Sequence, residues 1–174
     1  MNTNLYKPRF LVVVGIVFLA ALVRFFPHPP NFVPIAALAL FSGKYFSNKI
    51  IAFAVPILAM LLTDAIIGFH YLIPAVYISF IMIVGIGFVL RKNNKLSWMI
   101  GGSLAASTLF FIVTNFYVWA FGIMYPGSLN GLITCYVAAI PFYFSSLVGD
   151  LFYVGVMFMS FEFLTQKFHS LAEA

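Results

Sequence analysis

The chain has 174 residues, 64% of them hydrophobic and only 7% charged. A soluble domain carries roughly a quarter charged residues, and a chain this small has too little interior to hide so much apolar surface from water. Composition therefore excludes an ordinary soluble fold and implies an all-α integral membrane bundle. The net charge of +5 is spread over helix ends and is no nucleic-acid signal. The single cysteine, Cys135, excludes an intrachain disulfide and a cysteine-built metal cage.

In chain order, the apolar runs predict six transmembrane helices within one domain spanning 1–174. The first covers about 10–26. Lys7 and Arg9 ahead of an apolar run imitate a signal peptide. No small-residue cleavage site follows, because the run ends in Arg24-Phe25-Phe26-Pro27, so it reads as a retained helix. The second, about 33–46, is short against the roughly 20 residues a span needs. It either thins the bilayer locally or is shielded from lipid by neighbours. The third, fourth and fifth cover about 50–69, 71–90 and 97–122. The remaining apolar stretch, 131–164, contains Pro141. Proline breaks helices, so the stretch is divided into a partly inserted segment at 131–140 and a sixth helix at 142–164. Proline, glycine and asparagine mark the turns between spans.

Lysine and arginine placement sets the orientation. With six spans and the N-terminus inside, Lys7, Arg9, Lys44, Lys49, Arg91, Lys92, Lys95 and Lys167 all fall on the cytoplasmic side, and only Arg24 falls outside. Both termini are then cytoplasmic, in a multi-pass protein of the inner (plasma) membrane.

Polar groups inside a membrane are costly, so each needs a reason. Asp64 on the third helix, Asn115 on the fifth, Asp150 on the sixth and Arg24 at the end of the first all map to the outer half. Glu162 sits at the inner end of the sixth helix, and no comparable cluster is expected in the inner half. The asymmetry points to a pocket open to the outside, with aromatic walls from Phe116, Tyr117, Trp119 and Tyr125. The competing reading is that Arg24 neutralises Asp64 or Asp150 while Asn115 closes an interhelical bond. His28 and His70 lie in outer loops without metal-ligand spacing, and His169 lies in the basic tail. Small residues form stripes at Ala36, Ala39 and Gly43 and at Gly101, Gly102, Ala105 and Ala106. These serve close packing within the chain or docking of a partner. No GxSxG, HExxH, phosphate-binding glycine loop or paired-acid motif is present, so no enzyme activity and no cofactor are expected.

The runs 30–43 (PNFVPIAALALFSG), 61–70 (LLTDAIIGFH), 114–119 (TNFYVW) and 139–142 (AIPF) resemble a bacterial membrane family of unknown function. That family is itself similar to the substrate-binding S components of energy-coupling-factor (ECF) transporters. The resemblance implies a six-helix fold that holds a vitamin-like solute near the outer surface, and docking on a coupling subunit with two ATPases. It departs from the family pattern on the first helix, where Gly15, Ala20 and Ala21 lack the AxxxA spacing, so helix 2 or 5 would serve for docking. Met1-Asn2 replaces the Met-His start of nickel and cobalt members.

The residues expected to contact solute are Arg24, Asn31, Asp64, His70, Asn115, Trp119, Tyr125 and Asp150. The alternative is a non-transporting membrane scaffold similar to MreD, in which the small-residue stripes are the working surface. An enzyme acting on lipid or prenyl substrates is disfavoured by the lack of paired acids.

Overall fold

The structure is a computed structural model that describes residues 8–168 and Leu171. Lys7 and His169 lie outside the described residues. The regular elements among the described residues are all helical: α1 (Pro8–Leu22), a 3-10 turn (Val23–Phe25), α2 (Ile35–Tyr45), α3 (Lys49–Ile67), α4 (Ile73–Leu90), α5 (Leu96–Phe121) and α6 (Leu129–Lys167). Five of these are long and apolar enough to cross a membrane, counting α1 with its 3-10 extension; α2 is not. Large apolar side chains face outward, with Leu19, Ile66 and Met159 each about two-thirds or more exposed. Such a surface is stable only against lipid.

The eleven residues of α2 rise only about 16 Å, half the thickness of a bilayer core. The structure decides between the two expectations for this helix. Ten of its residues are buried, so protein shields it and the bilayer need not thin. The irregular stretch before it is tolerated on the same condition, that backbone polar groups at depth meet protein. Because Ala36, Ala39 and Gly43 are all buried, the α2 stripe is internal packing and cannot dock a partner.

The stripe has a specific use. A Cβ added to Gly43 would stand 2.3 Å from the Val84 carbonyl oxygen, and one added to Gly87 would stand 2.6 Å from that of Leu40. The two glycines let α2 and α4 touch backbone to backbone. Phe41 and Tyr45 then pack edge-on against Phe158 of α6, with ring centroids 5.5 Å apart in both pairs.

One expectation fails. The stretch from 129 onward is not divided at Pro141, because α6 is a single helix of 39 residues, roughly 58 Å long. Proline removes one N–H and crowds the preceding turn, but α5 grips α6 on both sides of it. The Tyr136 hydroxyl donates to the Ile112 carbonyl (2.7 Å), and Thr108 and Tyr143 share a hydrogen bond (2.9 Å). Ser107 donates to Asp150 (2.7 Å). These cross-helix bonds hold the direction of α6 through the proline. The Ser128 side chain caps its start by accepting from the Gly131 N–H (3.2 Å).

The alternation of helices sorts the charges. Arg9, Lys44, Lys49, Arg91, Lys92, Lys95 and Lys167 gather at one end of the bundle, and Arg24 alone marks the other. These are called the basic end and the opposite end below.

Candidate functional site

At the opposite end, the expected polar residues divide into three separate places. Arg24, in the 3-10 turn after α1, donates from Nη2 to Asp64 Oδ1 of α3 at 2.6 Å. It also donates to the Thr63 hydroxyl and reaches the Met60 sulfur. The Tyr77 hydroxyl of α4 donates to the second carboxylate oxygen at 3.0 Å. Asp64 is 1% exposed. Each of its oxygens has a partner, so Arg24 and Asp64 tie α1 to α3 and α4.

Asp150 is the second place. It is 4% exposed. Its carboxylate accepts from Ser107 and faces the backbone N–H groups of Ala36 and Ala37 in the first turn of α2. That turn needs an outside acceptor. Its N-cap is Pro34, which has no side-chain oxygen and makes no capping bond. Asp150 therefore offers from α6 an acceptor of the kind that Ser or Asp usually supplies at the N-cap itself.

The third place is a cavity of about 250 Å³ between α2, α4, α5 and α6. Asn31, His70 and Asn115 all line it, with Thr114 and Ser146. Asn31 is positioned by a turn in which the Phe32 N–H donates to the Pro29 carbonyl (3.0 Å). Pro30 occupies the second position and Asn31 the third, with φ +61°. That is the type II pattern, which asks for proline and then a residue tolerant of positive φ. Ser145 of α6 donates to the Pro30 carbonyl at 2.6 Å and fixes the turn over the cavity. Asn115 spends one amide hydrogen on the Phe111 carbonyl of its own helix (2.8 Å). Its side-chain oxygen has no partner among the described residues.

The walls are Phe110, Phe111, Phe142 and Tyr143 with aliphatic neighbours, not the aromatics expected from sequence. Trp119 is instead engaged in the α5–α6 connection, where its indole N–H donates to the carbonyls of Pro126 (3.1 Å) and Ser128 (3.3 Å). Tyr125 lies in that connection, half-buried, outside the cavity lining. Phe111 and Asn115 are four apart on one helix and so share a face, a signal that sequence reasoning could have used. Asp150 sits one turn beyond Ser146 on α6, outside the lining. Among the described residues, no carboxylate, lysine or arginine lines this cavity, so it can offer hydrogen bonds and aromatic faces to an uncharged molecule. His28 is exposed, with Nδ1 3.0 Å from the Pro29 carbonyl. No group of three potential metal ligands occurs among the described residues.

The basic end was expected to hold no polar cluster, and there the structure corrects the sequence reading. Lys44, at the end of α2, donates to the carbonyls of Leu90 (2.9 Å) and Asn93 (3.2 Å) and to Asn94 Oδ1 (2.7 Å). Arg91, just after α4, donates back to the carbonyls of Gly43 (2.7 Å) and Phe46 (2.5 Å). Each helix thus caps the other's C-terminus. Two parallel helix ends would otherwise bring two negative dipole ends together. Tyr45 donates to Glu162 at 2.8 Å.

Five membrane-length apolar helices packed around a buried sixth define a multi-pass helical membrane protein. Residues 4–171 match the model of a family of unknown function, DUF6580, and the chain belongs to that family. No curated protein and no solved structure matches it.

Proposed function

We propose that the chain is the solute-binding subunit of a nutrient uptake system in the bacterial plasma membrane. The observation that carries this reading is the 250 Å³ cavity holding Asn31, His70 and Asn115 at the end of the bundle away from the lysines and arginines. The positive-inside rule turns the basic end to the cytoplasm, so both termini lie inside and the cavity opens outside. Its volume falls just below the usual range of about 300–1,000 Å³ for ligand pockets, which suits a small solute. Hydrogen-bonding groups without a carboxylate, lysine or arginine, set between aromatic walls, suit an uncharged heterocycle or amide.

The resemblance to ECF S components supports the same reading and supplies its expected partners, a membrane coupling subunit with ATPases. With α2 buried, α5 is the helix left to meet them. Mass spectrometry of small molecules retained by the gently purified protein tests the proposal. One uncharged compound of vitamin size is expected; its absence from protein that remains folded would count against transport.

One observation favours a second reading, a scaffold similar to MreD. Gly101, Gly102 and Ala105 of α5 line a lipid-facing groove against Ile86, Val89 and Leu90 of α4, and a Cβ on Gly101 would meet nothing within 4 Å. A scaffold would carry no solute and would lose function when this groove is filled by Gly101→Leu.

A further inference from the structure

A second polar cavity, of about 530 Å³, opens at the basic end and lies at the opposite end of the bundle from the solute site. It is built by four elements. Arg9 comes from the first turn of α1, Lys44 and Tyr45 from the end of α2, Arg91 from the residue after α4, and Glu162 from α6. Among the described residues, three cations therefore face one carboxylate.

Local structure accounts for part of that excess. The C-termini of α2 and α4 contribute about half a negative charge each. With Glu162 they offset about two of the three positive charges, leaving roughly one unmatched among the described residues of the cavity. Hydrogen-bond use shows which cation is left over. Lys44 has three N–H groups and spends all three on the α4 end. Arg91 spends two of its five on α2 carbonyls. Arg9 donates once, from Nη1 to the Leu171 carbonyl at 2.9 Å, and its guanidinium lies over the Phe161 ring at 5.2 Å. Stacked on an aromatic ring, that fork is held in place with most of its donors unspent among the described residues. Arg9 and Arg91 thus present guanidinium hydrogens to a cavity with net positive charge, the arrangement that recognises phosphate oxygens in pairs.

We propose that this cavity binds the phosphate group of an anionic molecule. A lipid headgroup and a free phosphate-bearing solute bring the same chemistry to this end of the bundle. The site is independent of the solute cavity and stands whether or not that cavity is used for transport.

The test uses the full chain in a neutral detergent, stripped of lipid. Its unfolding midpoint is followed against inorganic phosphate, short-chain phosphatidylglycerol, short-chain phosphatidylcholine and sodium chloride of matched ionic strength. A saturable rise is expected with phosphate, with phosphatidylglycerol or with both, and none with phosphatidylcholine or chloride. A response to inorganic phosphate assigns a free phosphate-bearing solute, and a response to phosphatidylglycerol alone assigns a headgroup. Arg9→Gln should weaken the apparent affinity roughly tenfold, the scale of one lost charge-assisted hydrogen bond. Glu162→Gln should tighten it, because the nearby negative charge is removed; a merely structural role would not produce that change of sign. Arg91 is left untouched because it also caps α2. The proposal is overturned by no saturable response to either phosphate source, by an equal response to phosphatidylcholine, or by an unchanged affinity in Arg9→Gln.

Discussion

Gly43 and Gly87 meet so closely that a Cβ on either would lie 2.8 Å from the other's Cα. The contact sets α2 against α4 over the turn where Arg91 and Lys44 exchange their caps. A methyl group at either glycine has to push two backbones apart and stretch those caps. Gly43→Ala and Gly87→Ala should each destabilise the bundle by about 1–3 kcal/mol, the usual cost of overpacking, read as a lowered unfolding midpoint in detergent. Gly85→Ala is the control. It sits on the same helix with nothing within 4 Å of its would-be Cβ, and it should be neutral or mildly stabilising because alanine is the better helix former.

Arg24 and Asp64 form a nearly dry pair, with side chains 10% and 2% exposed. Removing one partner leaves the other charge buried and alone, which costs about 3–5 kcal/mol. Asp64→Leu should therefore be strongly destabilising. The double variant Arg24→Met/Asp64→Leu should regain most of the loss, because an apolar pair of similar volume replaces an ion pair at little net cost. Unfolding midpoints of the two single variants and the double check this. Equal losses in all three would mean that the ion pair is not the unit of stability.

Asp150 faces the uncapped start of α2 from another helix, and the substitution series should separate shape from hydrogen bonding. Asp150→Asn keeps an acceptor oxygen for Ser107 and the α2 amides and should cost little. Asp150→Leu removes it and should cost about 1–3 kcal/mol for the amides and hydroxyl left unsatisfied. Amide exchange at 36 and 37 is the sharper readout, since it should rise in the leucine variant ahead of exchange elsewhere in the bundle.

The helices and their alternation were legible because lipid demands long apolar runs and the basic residues punctuate them. Pro141 misled because the local cost of a proline is visible in sequence, whereas the α5 contacts that offset it are not. The candidate site was half legible. Asn31, His70 and Asn115 line one cavity, because turn chemistry and helix register place them at one end. Arg24, Asp64 and Asp150 were expected beside them and lie in two other places, because a buried charge signals either function or pairing and contacts between distant segments are not visible in sequence. The same holds for Lys44 and Arg91. They look like loop charges in sequence, and become mutual caps only when α2 and α4 end side by side.

The central claim is that the cavity between α2, α4, α5 and α6 holds an uncharged solute, and Asn115→Leu tests it most directly. Leucine has the same branched four-atom skeleton as asparagine, keeps the helix and removes the unpartnered amide oxygen from the wall. Mass spectrometry of small molecules retained by wild-type, Asn115→Leu and Gly85→Ala protein, each matched for unfolding midpoint, is the measurement. A single neutral compound held by wild type and Gly85→Ala and lost from Asn115→Leu is the expected result. The same compound held equally by all three, or none held by any, would contradict it.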